Sequence, residues 1–207
     1  MSPTVSDFIV RVLRETGIDA VFGLPGVHAL GLWNALRDSG LRYVGFRHEQ
    51  AAAHAADGYG RATGKPGVVL LSTGPGALNA ASALGEAMVS SSPVLALASA
   101  IPSNLIGKGK GYLHEAKDLL PAFESVTHFS GRATSSEEVP TLLTRALEAV
   151  LGGRPGPALV EIPVDLFDAS LEASAGIPLP DRLPPDEGQI DEALGVLRLA
   201  ARPVIWA

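Results

Sequence analysis

Glu49 is the carboxylate in this 207-residue chain best placed for chemistry. It follows Arg47 and His48 where an apolar run meets a helical stretch whose next turns carry Ala51, Ala52, Ala53, Ala55 and Ala56. Small side chains permit close approach, and a carboxyl group ringed by methyl groups is poorly hydrated, the condition for sharing a proton near neutral pH. A helix dipole also favours a first-turn glutamate by about 0.3–1 kcal/mol with no chemistry attached, and from spacing alone that is the commoner explanation. The loop Ser72-Thr73-Gly74-Pro75-Gly76 opens a helix containing Asn79 and has the form of an anion cradle at a helix N-terminus. Neither G-x-G-x-x-G nor G-x-x-x-x-G-K-[ST] occurs here, so the dinucleotide fingerprint and the phosphate loop are excluded. What remains is a glycine-rich turn that lets a flat ligand approach backbone, and tight-turn geometry alone also accounts for it.

Histidines stand at positions 28, 48, 54, 114 and 128, but their spacing does not describe a metal site. His48 and His54 are six apart, no H-E-x-x-H occurs, and His114-Glu115 lacks a second imidazole at helical distance. No metal ligand is therefore expected in the chain. His54, inside the alanine-rich helix, reads as a packed or capping side chain. His28 and His114 differ, because each falls in a glycine-rich loop. No G-x-S-x-G anchors a serine triad, and the absence of cysteine excludes a disulfide framework, a thiolate metal site and a cysteine nucleophile.

These side chains need a frame. Val5, Phe8, Ile9, Val12 and Leu13 fall at the spacing of one helical face, with Thr4 as a cap and Gly17 as a stop. A strand over 20–22 ends in Gly23-Leu24-Pro25-Gly26 and is followed by a helical stretch from about 28 to 37. Further strands are expected over 43–46, 68–71, 94–98, 126–129 and 158–162, and helices over about 49–62, 77–89 and 137–151. Strands alternating with helices of this length imply βαβ units, a parallel sheet and helices on both faces. Runs such as VVLL and VLALA lack polar alternation, as expected where both sheet faces are covered. The expected fold is therefore a three-layer α/β/α domain with a central, mainly parallel six-stranded sheet. Ligands of such sheets bind beyond the carboxyl ends of the strands, where the loops carrying His28, Glu49 and Ser72 lie.

The composition narrows the class of partner. With 46% apolar and 18% charged residues, the chain can bury a substantial core. A net charge of −6 has the wrong sign for a phosphate-backbone binder, so nucleic acid is not an expected partner. Asp7, Arg11, Arg14 and Glu15 interrupt the N-terminus where a signal peptide is apolar, and Glu86, Asn79 and several Gly and Pro residues break the longest uncharged segment. A cytoplasmic address without membrane insertion is expected. From about 170 the chain is proline-rich, with Pro178, Pro180, Pro184 and Pro185, and then resumes with a helix over 191–199 and the start of a strand over 203–207. One helix and one strand make no domain, so the chain reads as the front portion of something longer.

Taken together, FGLPG (22–26), RHEQAAAHAADGYGRATGKPGV (47–68), STGPGALN (72–79) and GGRPGPALVEIPVD (152–165) resemble the N-terminal pyrimidine-binding domain of thiamine diphosphate-dependent enzymes. The group most similar is acetolactate synthase with the related 2-oxo acid decarboxylases and lyases. The resemblance covers about residues 4–168 and implies a pyrimidine-binding domain over 1–170, a linker over 171–190 and the start of a central domain over 191–207. It implies that Glu49 meets N1′ of the cofactor's aminopyrimidine, favouring the imino tautomer that removes the thiazolium C2 proton. Pro25, Gly26, Ser72, Pro75 and Asn79 are implied to line the pyrimidine. The function implied is decarboxylation of a 2-oxo acid, with or without ligation of the product, and a homo-oligomer, dimer or tetramer, is the expected assembly.

Two departures from the family pattern matter. In place of a Q-E pair before the fifth strand the chain has Gly111-Tyr112-Leu113-His114-Glu115. G-V-H at 26–28 with L-H-E at 113–115 is more similar to guanidino-2-oxo-acid decarboxylase-type members, which makes His28 and His114 substrate-side candidates. A histidine there can relay a proton or hydrogen-bond a carboxylate. The second departure is that no G-D-G with a downstream asparagine occurs in the 207 residues. That motif belongs to the family's diphosphate-binding domain, where Mg2+ and the diphosphate are held, so the chain is expected to be half of an active site and inactive alone. A stand-alone binding or interaction module with the same fold is the alternative, and an in-frame continuation carrying G-D-G…N separates the two.

Overall fold

The computed structural model describes residues 3–171, 177 and 184–204. Six strands form one all-parallel sheet: β1 (Ala20–Gly23), β2 (Arg42–Gly45), β3 (Gly67–Leu71), β4 (Val94–Ala100), β5 (Phe129–Arg132) and β6 (Pro157–Pro163), in the order β2-β1-β3-β4-β6-β5. The chain begins with α1 (Val5–Glu15), opened by a capping box in which the Thr4 hydroxyl accepts from the Asp7 amide and the Asp7 carboxylate accepts from the Thr4 amide. Its predicted apolar face, Val5, Phe8, Ile9, Val12 and Leu13, is buried.

Two cores follow from the period of two along the strands. Val21, Val68, Leu70, Leu95 and Leu97 point to one face, where α1, α2 (Leu30–Arg37) and α7 (Val139–Leu151) cover them. Ala20, Phe22, Val69, Leu71 and Ala96 point to the other, against α3 (Glu49–Thr63), α5 (Ala81–Val89) and α6 (Leu120–Glu124). Both faces of the central strands are thus covered, and every residue of β3, β4 and β6 is buried. This is the expected three-layer arrangement.

The structure corrects several boundaries. The fifth strand runs over Phe129–Arg132 and not 126–129. After α6 the Thr127 hydroxyl still donates to the Phe123 carbonyl at 2.8 Å, holding the chain in a helical turn, and cross-strand bonding starts only with His128 N–H to Pro157 O. The stretch expected as one helix over 77–89 is two, α4 (Pro75–Asn79) and α5, meeting at Ala80. His54 is exposed rather than packed, because it lies on the outer side of α3.

Leu171 and Ile177 still pack into the first core. α8 (Val164–Phe167) closes the end of β6, and α9 (Glu187–Leu199) contains no buried residue. Of the strand expected over 203–207, Pro203 and Val204 are not in a strand and the rest lies outside the described residues. Among the described residues no helix is long and apolar enough to cross a membrane.

Candidate cofactor and substrate site

The winding of the sheet reverses between β1 and β3, with β2 on one side and β3, β4, β6 and β5 on the other. At such a switch point a crevice opens beyond the carboxyl ends of the strands. The turns after β1 and β3 flank it and touch. A methyl group added at Gly26 would stand 2.4 Å from Ser72 Oγ and 3.3 Å from its Cβ, so any side chain there would have to displace the Ser72 hydroxyl.

Glu49 enters the crevice from the third side. The chain leaves β2, passes the exposed Arg47 and His48, and starts α3 at Glu49, with His48 Nδ1 accepting from the Gln50 amide at 3.3 Å as the cap. Of the R-H-E triplet only Glu49 is buried, at 7% exposure. Its Oε2 accepts a hydrogen bond from Asn79 Nδ2 at 3.1 Å, and no hydrogen bond among the described residues engages Oε1. A methyl group added at Gly76 would fall 2.6 Å from that Oε1 and 2.7 Å from Ser72 Cβ. Thus Glu49, Ser72, Gly76 and Asn79 meet around one small space. Pro25 and Pro75 are exposed on the turns above it.

A second space adjoins the first. Pro75, Lys108, Tyr112, His114, Glu115 and Lys117 bound an open cavity of about 720 Å³. The exposed His114 has φ +65°, a left-handed conformation rare for a side-chain-bearing residue, and its carbonyl lies where a methyl group on Gly74 would be 2.1 Å away. The segment carrying His114 is therefore pressed onto the turn after β3. His28 is placed differently. It is buried behind the cavity, its ring 5.7 Å edge-on from His114 and 5.9 Å from Tyr112, with Nδ1 unpartnered. Burial, and then the charge of His114, holds the His28 imidazole below the usual histidine range. Among the described residues no group of three or more His, Asp or Glu could hold a metal ion.

Sequence reasoning passed over Gly76, Tyr112 and the pair Arg132–Glu161. Arg132 Nε donates to Glu161 Oε2 at 2.5 Å within the sheet. Burial pushes the Glu161 carboxyl up, against the pull of Arg132. A usable signal was present: a lone carboxylate in the apolar run Ala158-Leu159-Val160-Glu161-Ile162 must find a partner.

A buried carboxylate at the switch point of a parallel sheet, beside an open cavity of about 720 Å³, marks a candidate ligand-binding α/β domain, and its class follows from comparison. Residues 3–122 match the family described as thiamine pyrophosphate enzyme, N-terminal TPP binding domain, and the chain belongs to that family, whose cofactor is thiamine diphosphate. It is 41% identical over 207 residues to a probable 2-ketoarginine decarboxylase of Pseudomonas aeruginosa, covering 99% of this chain and 37% of that protein. It is 36% identical over 210 residues to a probable acetolactate synthase large subunit of Methanocaldococcus jannaschii, covering 98% and 35%. Against the acetolactate synthase isozyme 2 large subunit of Escherichia coli it is 34% identical over 202 residues, covering 97% and 36%. The chain thus spans little more than a third of the length of these relatives.

Proposed function

We propose that this chain forms the pyrimidine-binding side of the active site of an enzyme that decarboxylates a 2-oxo acid and releases the product or joins it to a second carbonyl compound. The observation that carries the reading is Glu49, buried at the switch point with one carboxylate oxygen held by Asn79 and the other unengaged. An unengaged oxygen in a space that a methyl group at Gly76 would fill fits the edge of a flat heterocycle. Thiamine diphosphate, when bound, supplies the nucleophilic carbon and the electron sink that the decarboxylation needs. Glu49 holds a proton at ring nitrogen N1′, and Asn79 fixes the rotamer from which it does so. Gly26 and Ser72 let the ring lie close to backbone, while Pro25 and Pro75 shield it from water.

His114, exposed in the adjoining cavity with Lys108 and Lys117, receives the 2-oxo acid and hydrogen-bonds its carboxylate or moves a proton, and His28 supports it from behind. The names of the relatives, a 2-ketoarginine decarboxylase and acetolactate synthases, support a 2-oxo acid as substrate. A diphosphate-binding domain of the same or another chain, carrying Mg2+, completes the site in a homo-oligomer. The domain division belongs to the same proposal: 1–170 binds pyrimidine, 171–190 links, with Leu171 and Ile177 packed on the first core and α9 opening at Glu187, and 191–207 begins a central domain.

Replacing Glu49 by Gln in the complete enzyme tests the role. Exchange of the cofactor's thiazolium C2 proton, followed by nuclear magnetic resonance, is expected to slow by about 10²–10⁴-fold with the circular dichroism spectrum unchanged. Undiminished exchange refutes the assignment. Calorimetric titration of the 207-residue chain with thiamine diphosphate should give only weak binding. Micromolar affinity would contradict the half-site reading.

A further inference from the structure

The segment carrying Tyr112 and His114 runs from the end of β4 to α6, and nearly all of residues 104–118 is exposed or half-exposed. Its glycines at 107, 109 and 111 adopt positive φ, and His114 does so without being glycine. A loop so poor in buried contacts does not hold a strained conformation by itself, since such strain persists only where the surroundings over-determine it. Both ends of the segment are tied to one short stretch of chain, Glu161-Ile162-Pro163-Val164-Asp165. At the leading end, Ser103 donates twice to Asp165, from its amide to Oδ1 at 2.8 Å and from its hydroxyl to Oδ2 at 2.6 Å. At the trailing end, Asp118 Oδ1 accepts from Arg132 Nη2 at 3.0 Å, and Arg132 Nε donates to the buried Glu161.

Arg132 and Glu161 are direct register partners on β5 and β6, so the trailing anchor is built into the sheet. Between the two anchors the segment touches the fold where the His114 carbonyl lies over Gly74 and where the Tyr112 and His114 rings meet the buried His28. Thr73, Gly74, Ile106, His114, Arg132 and Glu161 border a space of about 20 Å³ beneath it, room for about one water molecule, so the segment sits close on the sheet edge.

We propose that Glu161 and Asp165 are positioning residues that moor the two ends of this segment, and thereby seat His114 and Tyr112 beside the turn after β3. The proposal rests on the functional reading above for its consequence, substrate placement, but not for the mooring itself. Asp165 acts directly on Ser103. Glu161 acts through Arg132 on Asp118. Neither touches the cofactor or substrate. Leu119, buried next to Asp118, keeps the base of the segment in the core, so losing the trailing tie frees the segment without unfolding the domain.

Hydrogen exchange of the 207-residue chain, read by mass spectrometry, tests the mooring in Asp165→Ala and Asp118→Ala, both changes of exposed residues. Exchange over residues 103–118 should rise tenfold or more in each, with α1 and α7 unchanged. Asp165→Asn, which keeps one acceptor for Ser103, should fall between wild type and Asp165→Ala. Unchanged exchange over 103–118 in both alanine variants overturns the proposal, as does a uniform rise across the chain, which is what a merely structural role produces. In the complete enzyme the same variants should raise KM for the 2-oxo acid several-fold with cofactor affinity unchanged. If the wild-type enzyme turns over no 2-oxo acid, the functional reading fails while the exchange result still decides the mooring.

Discussion

At Glu49 and Gly76 the site depends on what is missing as much as on what is present. A side chain at position 76 would occupy the space beside Glu49 Oε1 and Ser72 Cβ, at 2.6 and 2.7 Å. Gly76→Ala is therefore expected to weaken thiamine diphosphate binding to the complete enzyme at least tenfold, measured by calorimetric titration, since both neighbours are held in place by their own elements. His28 allows a prediction about pH. Its folded-state pKa lies below the ordinary 6.5, because burial and the charge of His114 disfavour the imidazolium. Between the folded and unfolded values the unfolded chain binds more protons, so stability rises with pH there. The contribution is complete above about 6.5 and is lost as pH falls through the folded value. Urea midpoints measured from pH 8 down to pH 5 should fall for the wild type and fall less for His28→Phe, which keeps a ring without a titrating group. Parallel curves would show that His28 is not the group responsible.

The elements do their work by burying both faces of the sheet. α7 lays Val139, Leu143, Ala146, Leu147 and Val150 on the first core, all fully buried. Leu143→Ala removes a buried side chain from a close-packed layer and should destabilise the domain by about 2–5 kcal/mol in chemical denaturation. A loss below 1 kcal/mol would mean the layer collapses into the gap. The split between α4 and α5 bears on the site, because Asn79 closes the short first helix and hydrogen-bonds Glu49, while Ser82 in the second accepts from Gln50. α3 is thereby tied to both helices along its first turn, where the candidate catalytic carboxylate sits.

On the scale of the whole molecule, α9 contributes no buried residue to either core of the sheet domain. α9 exposes every face, including Ile190, Leu194, Leu197 and Leu199, and no residue in it is buried. Ending the chain after residue 183 should leave the unfolding free energy of the sheet domain within about 0.5 kcal/mol, the range of surface changes. A loss of 2 kcal/mol or more would show α9 docked on the domain. The exposed apolar positions of α9 suit burial against a further surface.

Periodicity and punctuation in the sequence determined the alternation of strands and helices, the parallel sheet with both faces covered, and the three loops at its carboxyl edge, because local hydrophobic patterning specifies which faces must be buried. The motifs determined the family and singled out Glu49, Ser72, Asn79 and His114, because each lies in a loop at the carboxyl edge of the sheet or in the helix that such a loop opens. Tertiary structure alone decided that β1 and β3 are neighbours, so that Gly26 meets Ser72 and Gly76 meets Glu49. It alone placed His28 behind His114, and paired Arg132 with Glu161 and Asp118. The 126–129 strand failed for the same reason: Val126 packs on the second core just after α6, and the edge strand begins only where Pro157 offers a cross-strand partner. These contacts join residues 14 to 86 positions apart, and no local pattern in a single chain reports which distant side chain will arrive.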